Sequence, residues 1–313
     1  LNLANYLNFS QRGIEKESLR VIDSEISNSD HPKVLGSALT NPFITTDFSE
    51  ALLEFITRKS STVEKALDDL KIILTYTHQN IDDVIWPGSV PCSIRDESKI
   101  RIANYGTSNS GKLKELYRIG LSYRYGSMMQ CVSGIHYNFS LNNDFFKKWQ
   151  GSKENFQSFQ SEKYLNLIRN FRKNAWLLLY LFGASPVVPN TFLTDRKNFL
   201  KPLNNEDSFL ENATCLRMSE LGYMSEAQDD LNIAYNTLDE YISDLRSALT
   251  KKYEPYEEIG LKKDNQHIQI NDSIIQIENE YYSSIRPKRV VDSGQRPINC
   301  LLYTSDAADD TTG

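Results

Sequence analysis

The sequence predicts a mixed α+β protein, and three observations carry that reading. Two stretches, Arg12–Asp23 and Met129–Leu141, alternate with the two-residue period of a strand. Two others, Thr62–Trp86 and Tyr164–Phe182, space their apolar residues at three, four or seven. The chain has 313 residues, 40% hydrophobic and 11% aromatic, enough for one large core or two modest ones.

Taken in order, Arg12–Asp23 places Glu15, Glu17, Leu19 and Val21 on one face and Ile14, Lys16, Ser18 and Arg20 on the other. Phe43–Thr57 fits either period. The extended reading is favoured, with Leu52, Glu54 and Ile56 sharing a face, although Asp47 and Glu54 would also align on a helix. Thr62 can cap the helix that runs to Trp86, where Pro87, Gly88 and Pro91 break it. A polar loop, YGTSNSGK, precedes a helix over Leu113–Tyr125. In Met129–Leu141, His136, Asn138 and Ser140 share a face opposite Ile135, Tyr137 and Phe139. The helix of Tyr164–Phe182 stops at Gly183–Pro186. Another runs from Asn236 to Leu249, with Asp239 as a capping-box-like partner. HIQIN and SIIQIENEYY read as a hairpin turning at Asn271-Asp272.

Composition narrows the function classes. A net charge of −6 argues against nucleic acid as a main partner. No stretch approaches the roughly 20 apolar residues of a membrane span. The start lacks the basic and apolar regions of a signal peptide. Cys92, Cys131, Cys215 and Cys300 form no C-x-x-C pair and are too sparse for a disulfide scaffold, so reduced thiols in the cytoplasm are expected. The end, Cys300–Gly313, reads CLLYTSDAADDTTG, has no amphipathic period and resembles a translated sequencing adapter. It is set apart as a non-native tail. Without its three Asp, the net charge is −3, too mild to indicate a partner.

The candidate chemistry lies in acids within apolar segments. Glu15 and Glu17, two apart on a strand, hold their carboxylates about 6–7 Å apart on one face. On an exposed strand such a pair is ordinary. Here Leu19 and Val21 continue the face, and like charges on a partly buried wall call for a bridging cation. Carboxylates without a Cys or His cluster suit Mg²⁺ or Mn²⁺. Asp47 and Glu54 repeat the pattern, and a surface helix is the plain alternative for Glu54. His136 alone reads as a satisfied core residue, unless the acidic strands are its neighbours. Gly106–Lys112 nearly matches a phosphate-binding loop, but Leu113 stands where the metal-binding hydroxyl belongs and no buried parallel strand precedes it. A turn, or a flexible loop touching nucleotide, is expected there. Arg217 lies in a semi-apolar segment six residues before Tyr223, where its fork suits a carboxylate or phosphate as well as a surface salt bridge. Ile285–Arg289 is a basic cluster.

RGIEKESLR, GSALTNPFITTDFSEALLEFIT, YGTSNSGKLKELYRIGLSYRYG, SGIHYNFS, LFGASP, ATCLRMSELGY and QIENEYYSSIRPKR occur in that order. Together, from about Gln11 to Asn299, they closely resemble the glutamate–cysteine ligases of gamma-proteobacteria, which carry out the first step of glutathione synthesis. The resemblance implies a fold like the catalytic domain of glutamine synthetase: a curved, mostly antiparallel sheet forming a funnel, with helices outside. It implies that residues 1–299 are part of a ligase catalytic domain that is longer at its C-terminus in the family, where a further strand carries a metal-binding Glu and an Arg.

The resemblance also assigns sites. Glu15, Glu17, Asp47, Glu54 and His136 match the family's Mg²⁺ ligands. Phe48, Tyr117, Leu121, Gln130, Arg217, Tyr223 and Tyr282 match its amino-acid contacts, with Arg217 also able to stabilise transferred phosphate. Lys288, Arg289 and the Gly106–Lys112 loop are where ATP would be met. The implied reaction activates the γ-carboxylate of L-glutamate with ATP, as γ-glutamyl phosphate, for attack by the amine of L-cysteine. Such a step needs triphosphate charge neutralised and in-line positioning, which an acidic cage of metal ions supplies. A related carboxylate–amine ligase with another amine acceptor, and an inactive truncated fragment, are the alternatives.

Overall fold

The structure, a computed structural model, describes residues 10–151, 155–193, 198–219 and 225–288. They fall into two compact units. The first comprises residues up to Ala103 together with Cys131–Gln160, and the second Asn104–Gln130 with the residues from Ser161 onward.

The first unit is built on a six-stranded antiparallel sheet whose spine is β1 (Ser10–Ile22). Along its first part, β1 pairs with β4 (Leu52–Ile56) on one side and β6 (Ile135–Leu141) on the other. β4 also pairs with β3 (Ile44–Thr46), so Phe43–Thr57 is extended, as its alternation favours. The far end of β1 pairs with β2 (Glu25–Ile26) and β5 (Val84–Ile85). Asp23 and Ser24, both at positive φ (49° and 65°), make the two-residue turn into β2, a geometry that matches the strands' twist.

One face of this sheet packs on α1 (Val63–Asn80), burying Leu53, Phe55, Ile44 and Ile73 with Leu35 and Ile85. The Thr62 hydroxyl caps α1 by accepting from the Lys65 N–H. The helix ends at Asn80, not Trp86, and Ile81 is extended. The apolar spacing continues through Ile85, but that side chain is buried as a strand residue opposite Arg20. Beside it, Asp83 pairs with Arg20 at 2.5 Å. Arg20, 1% exposed, also donates to the Ser29, Asp30 and Glu50 carbonyls. The helix α3 (Asn143–Gln150) follows, and α4 (Phe156–Phe182) begins in this unit but lies mostly in the second. The latter starts eight residues before the expected Tyr164, where Phe159 meets Trp149 edge-on.

In the second unit, α2 spans Asn109–Tyr125, four residues earlier than the apolar pattern suggests, because Ser108 caps it by accepting from Gly111 N. Half of the polar loop is therefore helix. Gly111 is there for close approach: a Cβ would lie 2.6 Å from the Tyr105 carbonyl oxygen. The segment before Gly106 makes an antiparallel bridge, Ser49 with Ile102, and no parallel strand among the described residues. A small sheet joins β7 (Val187–Pro189), β9 (Asp207–Phe209) and β8 (Lys201–Pro202). α5 (Leu238–Thr250), capped by Thr237 rather than Asn236, packs Tyr241, Leu245 and Ala248 into a core with Leu165, Ile168 and Ile275. The short α6 (Glu254–Ile259) follows.

The hairpin expected at Asn271-Asp272 is not there. The hairpin in this region is β10 (Lys262–Lys263) with β11 (Gln266–His267), turning at Asp264 and Asn265, both at positive φ. Residues 271–282 instead fold on their own side chains: Ser273 N donates to Asn271 Oδ1, Gln276 N to Glu280 Oε2, and Glu278–Glu280 forms a 3₁₀ turn. Met129–Cys131 is likewise 3₁₀, so the strand expected from Met129 begins at Ile135.

Candidate active site

Directly opposed residues in an antiparallel ladder point to the same face. Glu15 sits opposite His136 on β6, and Glu17 opposite Glu54 on β4. The register therefore brings Glu15, Glu17, Glu54 and His136 onto one face, the side away from α1. There, one ligand atom each from Glu15, Glu54 and His136 lie within 4.8 Å of one another. His136 Nδ1 is 3.3 Å from Glu15 Oε2, and its Nε2 is 3.8 Å from Glu17 Oε1. The His136 side chain is 49% exposed and that of Glu15 15%, so the cluster opens to solvent. His136 is thus no satisfied core residue.

Two neutral donors orient the acids. Asn138 Nδ2 donates to Glu15 Oε1 at 2.9 Å, and the Gly134 N–H donates to Glu17 Oε2 at 2.5 Å. Asn138 was within reach of sequence reasoning, two residues from His136 on its face. Gly134 was not, since a backbone donor leaves no residue-type signal. Asp47 follows β3 directly, its N–H donating to Leu52 O, and its carboxylate is not among the three that gather. Its field, with that of Cys92, adds to burial in pushing the Cys131 thiol up. Phe48, next in sequence, is buried.

The other predicted substrate contacts belong to the second unit. Arg217 lies in the 3₁₀ turn Leu216–Met218, after Cys215 bridges to Ser185. Its Nε is buried with no hydrogen-bond partner among the described residues, which suits a residue whose partner is a ligand anion. Tyr282 is close by: its hydroxyl lies 3.3 Å from Met218 Sδ, burial raises its pKa, and the Arg217 charge opposes that rise. Tyr282 is held by Gln228, whose Oε1 accepts from its N–H while its Nε2 donates to the Glu280 carbonyl. Gln228 carries no motif signal. Tyr117 and Leu121 are one turn apart on α2; Leu121 is buried, and the Tyr117 carbonyl accepts from Gln276 Nε2 at 3.3 Å. Gln130 is buried in its 3₁₀ turn. Lys288 is exposed. Tyr223, Arg289 and the tail Cys300–Gly313 lie outside the described residues.

Comparison with known proteins decides the family. The glutamate-cysteine ligase family matches residues 2–304. The chain belongs to that family. A glutamate–cysteine ligase of Hahella chejuensis is 49% identical over 297 residues, covering 93% of this chain and 56% of that relative. One from Pseudomonas aeruginosa is 49% identical, over 92% of this chain and 56% of its own length. Among solved structures, a Francisella tularensis glutamate–cysteine ligase in complex with AMP superposes with a TM-score of 0.86 at 44% identity, covering 94% of this chain and 59% of that one. A bifunctional glutathione synthetase from Pasteurella multocida gives 0.66 at 29% identity, over 80% and 32%. This ligase-family chain thus spans a little over half the length of the curated relatives it matches.

The donor set fits a divalent cation. Carboxylate oxygens with one imidazole suit Mn²⁺, and carboxylates with retained water suit Mg²⁺. Ligand atoms up to 4.8 Å apart are looser than the about 3 Å of neighbours in an octahedral shell with 2.1 Å bonds, so the three side chains would close in on binding.

Proposed function

We propose that this chain carries the metal–nucleotide part of a glutamate–cysteine ligase, joining the γ-carboxylate of L-glutamate to the amine of L-cysteine at the expense of ATP. The observation that carries this reading is the convergence of Glu15, Glu54 and His136, with Glu17 beside them, on one open sheet face. Glu15, Glu17, Glu54 and His136 would hold Mg²⁺ or Mn²⁺, with Asp47 as a further ligand. Bound there, the cation would neutralise the triphosphate. Asn138 and the Gly134 N–H keep two of the carboxylates aimed. Arg217 would hold a carboxylate or the transferred phosphate, with Tyr282 at its side. Phe48, Tyr117, Leu121, Gln130 and Tyr223 would complete the amino-acid contacts, and Lys288 and Arg289 those to ATP. The AMP complex of the Francisella relative supports a nucleotide in this family.

Residues 1–299 are read as part of one catalytic domain of the glutamine-synthetase kind, the six-stranded sheet contributing to its funnel. Its place in the cell is read as the cytoplasm: Cys92, Cys131 and Cys215 are free thiols. Among the described residues, no helix is long and apolar enough to cross a membrane.

A second reading, binding without turnover, is favoured by the 56% coverage of the relatives. The deciding measurement is calorimetric titration of the chain with Mn²⁺ and with Mg²⁺–ATP, alongside an assay of γ-glutamylcysteine formation. Metal binding that is lost in Glu54→Gln, without product, supports the second reading. Metal binding with product supports the first. No metal binding removes both.

A further inference from the structure

We propose that Gln276 is a positioning residue for the amino-acid site: seated across α2 at Gly120, it fixes Tyr117 and Leu121 relative to Tyr282, an inference that rests on reading those three as amino-acid contacts. Tyr117, Gly120, Leu121 and Arg124 fall on one side of α2, spaced as neighbouring turns of a helix. That side meets residues 269–282, whose last member is Tyr282.

Gly120 shows how close the approach is. A helix interior disfavours Gly, which has the most backbone freedom to lose. Here it is buried, and a Cβ would lie 2.6 Å from both Cδ and Nε2 of Gln276 and closer still to Oε1. The amide has nowhere to retreat. Gln276 is fully buried, and each of its polar groups has a partner. Oε1 accepts from the Ile270 N–H at 3.0 Å, and Nε2 donates to the Tyr117 carbonyl at 3.3 Å. Its own N–H donates to Glu280 Oε2, and its carbonyl accepts from Asn271 Nδ2. The Tyr117 carbonyl is the one that the Leu121 N–H meets in a regular helix. Gln276 therefore bonds to the very turn that joins the two contact residues.

The Tyr282 end of the segment is tied to the same frame. Gln228 accepts from the Tyr282 N–H and donates to the Glu280 carbonyl. The Glu280 carboxylate takes the Gln276 N–H together with Arg124 and Tyr125 of α2. A chain of hydrogen bonds thus runs from the Tyr117–Leu121 turn through Gln276 and Glu280 to Tyr282. Arg124 anchors the segment, and the amide seated over a glycine sets how near to α2 it lies.

The test is calorimetric titration of the chain with L-glutamate and with L-cysteine in the presence of Mg²⁺ and ADP, beside titration with Mn²⁺ alone. Circular dichroism shows which variants are folded. Gly120→Ala, whose methyl displaces the amide, should weaken binding of at least one amino acid about ten- to a hundredfold and leave Mn²⁺ affinity unchanged. Gln276→Met keeps the length but removes both side-chain bonds, and should give a milder loss of the same kind. Gly120→Ala/Gln276→Ser makes room for the methyl without restoring the bond to Tyr117, so it should regain stability but not affinity. Folded Gly120→Ala and Gln276→Met chains that bind both amino acids as the parent does overturn the proposal alone. So does an equal loss of Mn²⁺ affinity, which marks a general loss of structure, or failure of both single variants to fold, which makes Gln276 a folding residue. A parent that binds neither amino acid removes the reading of the site as well, and the proposal with it.

Discussion

Two charged clusters in this chain are built in opposite ways. On the first unit's sheet, Glu15, Glu17 and Glu54 share a face with a half-exposed His136, and their described partners there are an amide, a backbone N–H and the imidazole. In the second unit, Arg124 and Glu280 are fully out of solvent and 2.9 Å apart. Arg124 also donates to Gln269 Oε1 and to the Asn271 and Ser273 carbonyls, and lies 4.2 Å over the Tyr256 ring. Glu280 accepts from Tyr125 Oη and Gln276 N, both at 2.6 Å. Burial and the Glu280 charge push the Tyr125 phenol far up, so it stays a donor. Opposite charges sealed together anchor a loop that has little regular structure. Like charges held on an open face repel one another, and a bound cation would offset that repulsion.

The largest effect should come from the open cluster. Glu15→Gln or Glu54→Gln should lower Mn²⁺ affinity by one to two orders of magnitude, on the order of 1.4–2.8 kcal/mol, while stability changes by no more than about 0.5 kcal/mol because repulsion is relieved. Titration calorimetry beside urea unfolding reads both quantities. A variant that binds metal normally but unfolds early would make this cluster structural, and the contrast would collapse.

The sealed cluster should show the reverse. Arg124→Met leaves Glu280 buried without its ion partner and should cost about 3–5 kcal/mol in urea unfolding. The double variant Arg124→Met/Glu280→Met should recover part of that loss. Metal affinity should not move in variants that remain folded. An Arg124→Met chain as stable as the parent would show that the pair is not the anchor.

A smaller effect tests how buried charge acts inside the first unit itself. Burial and, secondarily, the Arg20 charge lower the pKa of His31 to about 4. The unfolded chain takes up this proton near 6.5, the folded one near 4. Between those values the unfolded state binds more protons, so stability falls as pH drops from about 6.5 towards 4. In His31→Gln that slope should be shallower. Equal slopes in chemical unfolding at stepped pH would show that His31 titrates alike in both states.

The acid pattern was legible because strand periodicity is a local property. Glu15 and Glu17 on one face of β1, and His136 with Asn138 on one face of β6, follow from a period of two. The caps at Thr62 and, within one residue, Thr237 were legible too, because a hydroxyl residue just before a helical apolar pattern is a local signal. What misled was local pattern continuing across a change of partner. Ile85 keeps the helical spacing of α1 yet is buried against β1, and residues 271–282 alternate like a strand yet hydrogen-bond to their own amides and carboxylates.

The sequence by itself determined which residues are acidic, which faces they share within a strand, and the family to which the whole pattern belongs. Only the tertiary structure decided that Glu17 stands opposite Glu54 and Glu15 opposite His136. It also decided that Gly134 and Gln228 do the holding, and that Arg124 finds Glu280 across more than 150 residues. The physical reason is that register, backbone donors and buried ion pairs are relations between distant segments. Periodicity places a side chain on a face, but a ladder must form before that face acquires neighbours.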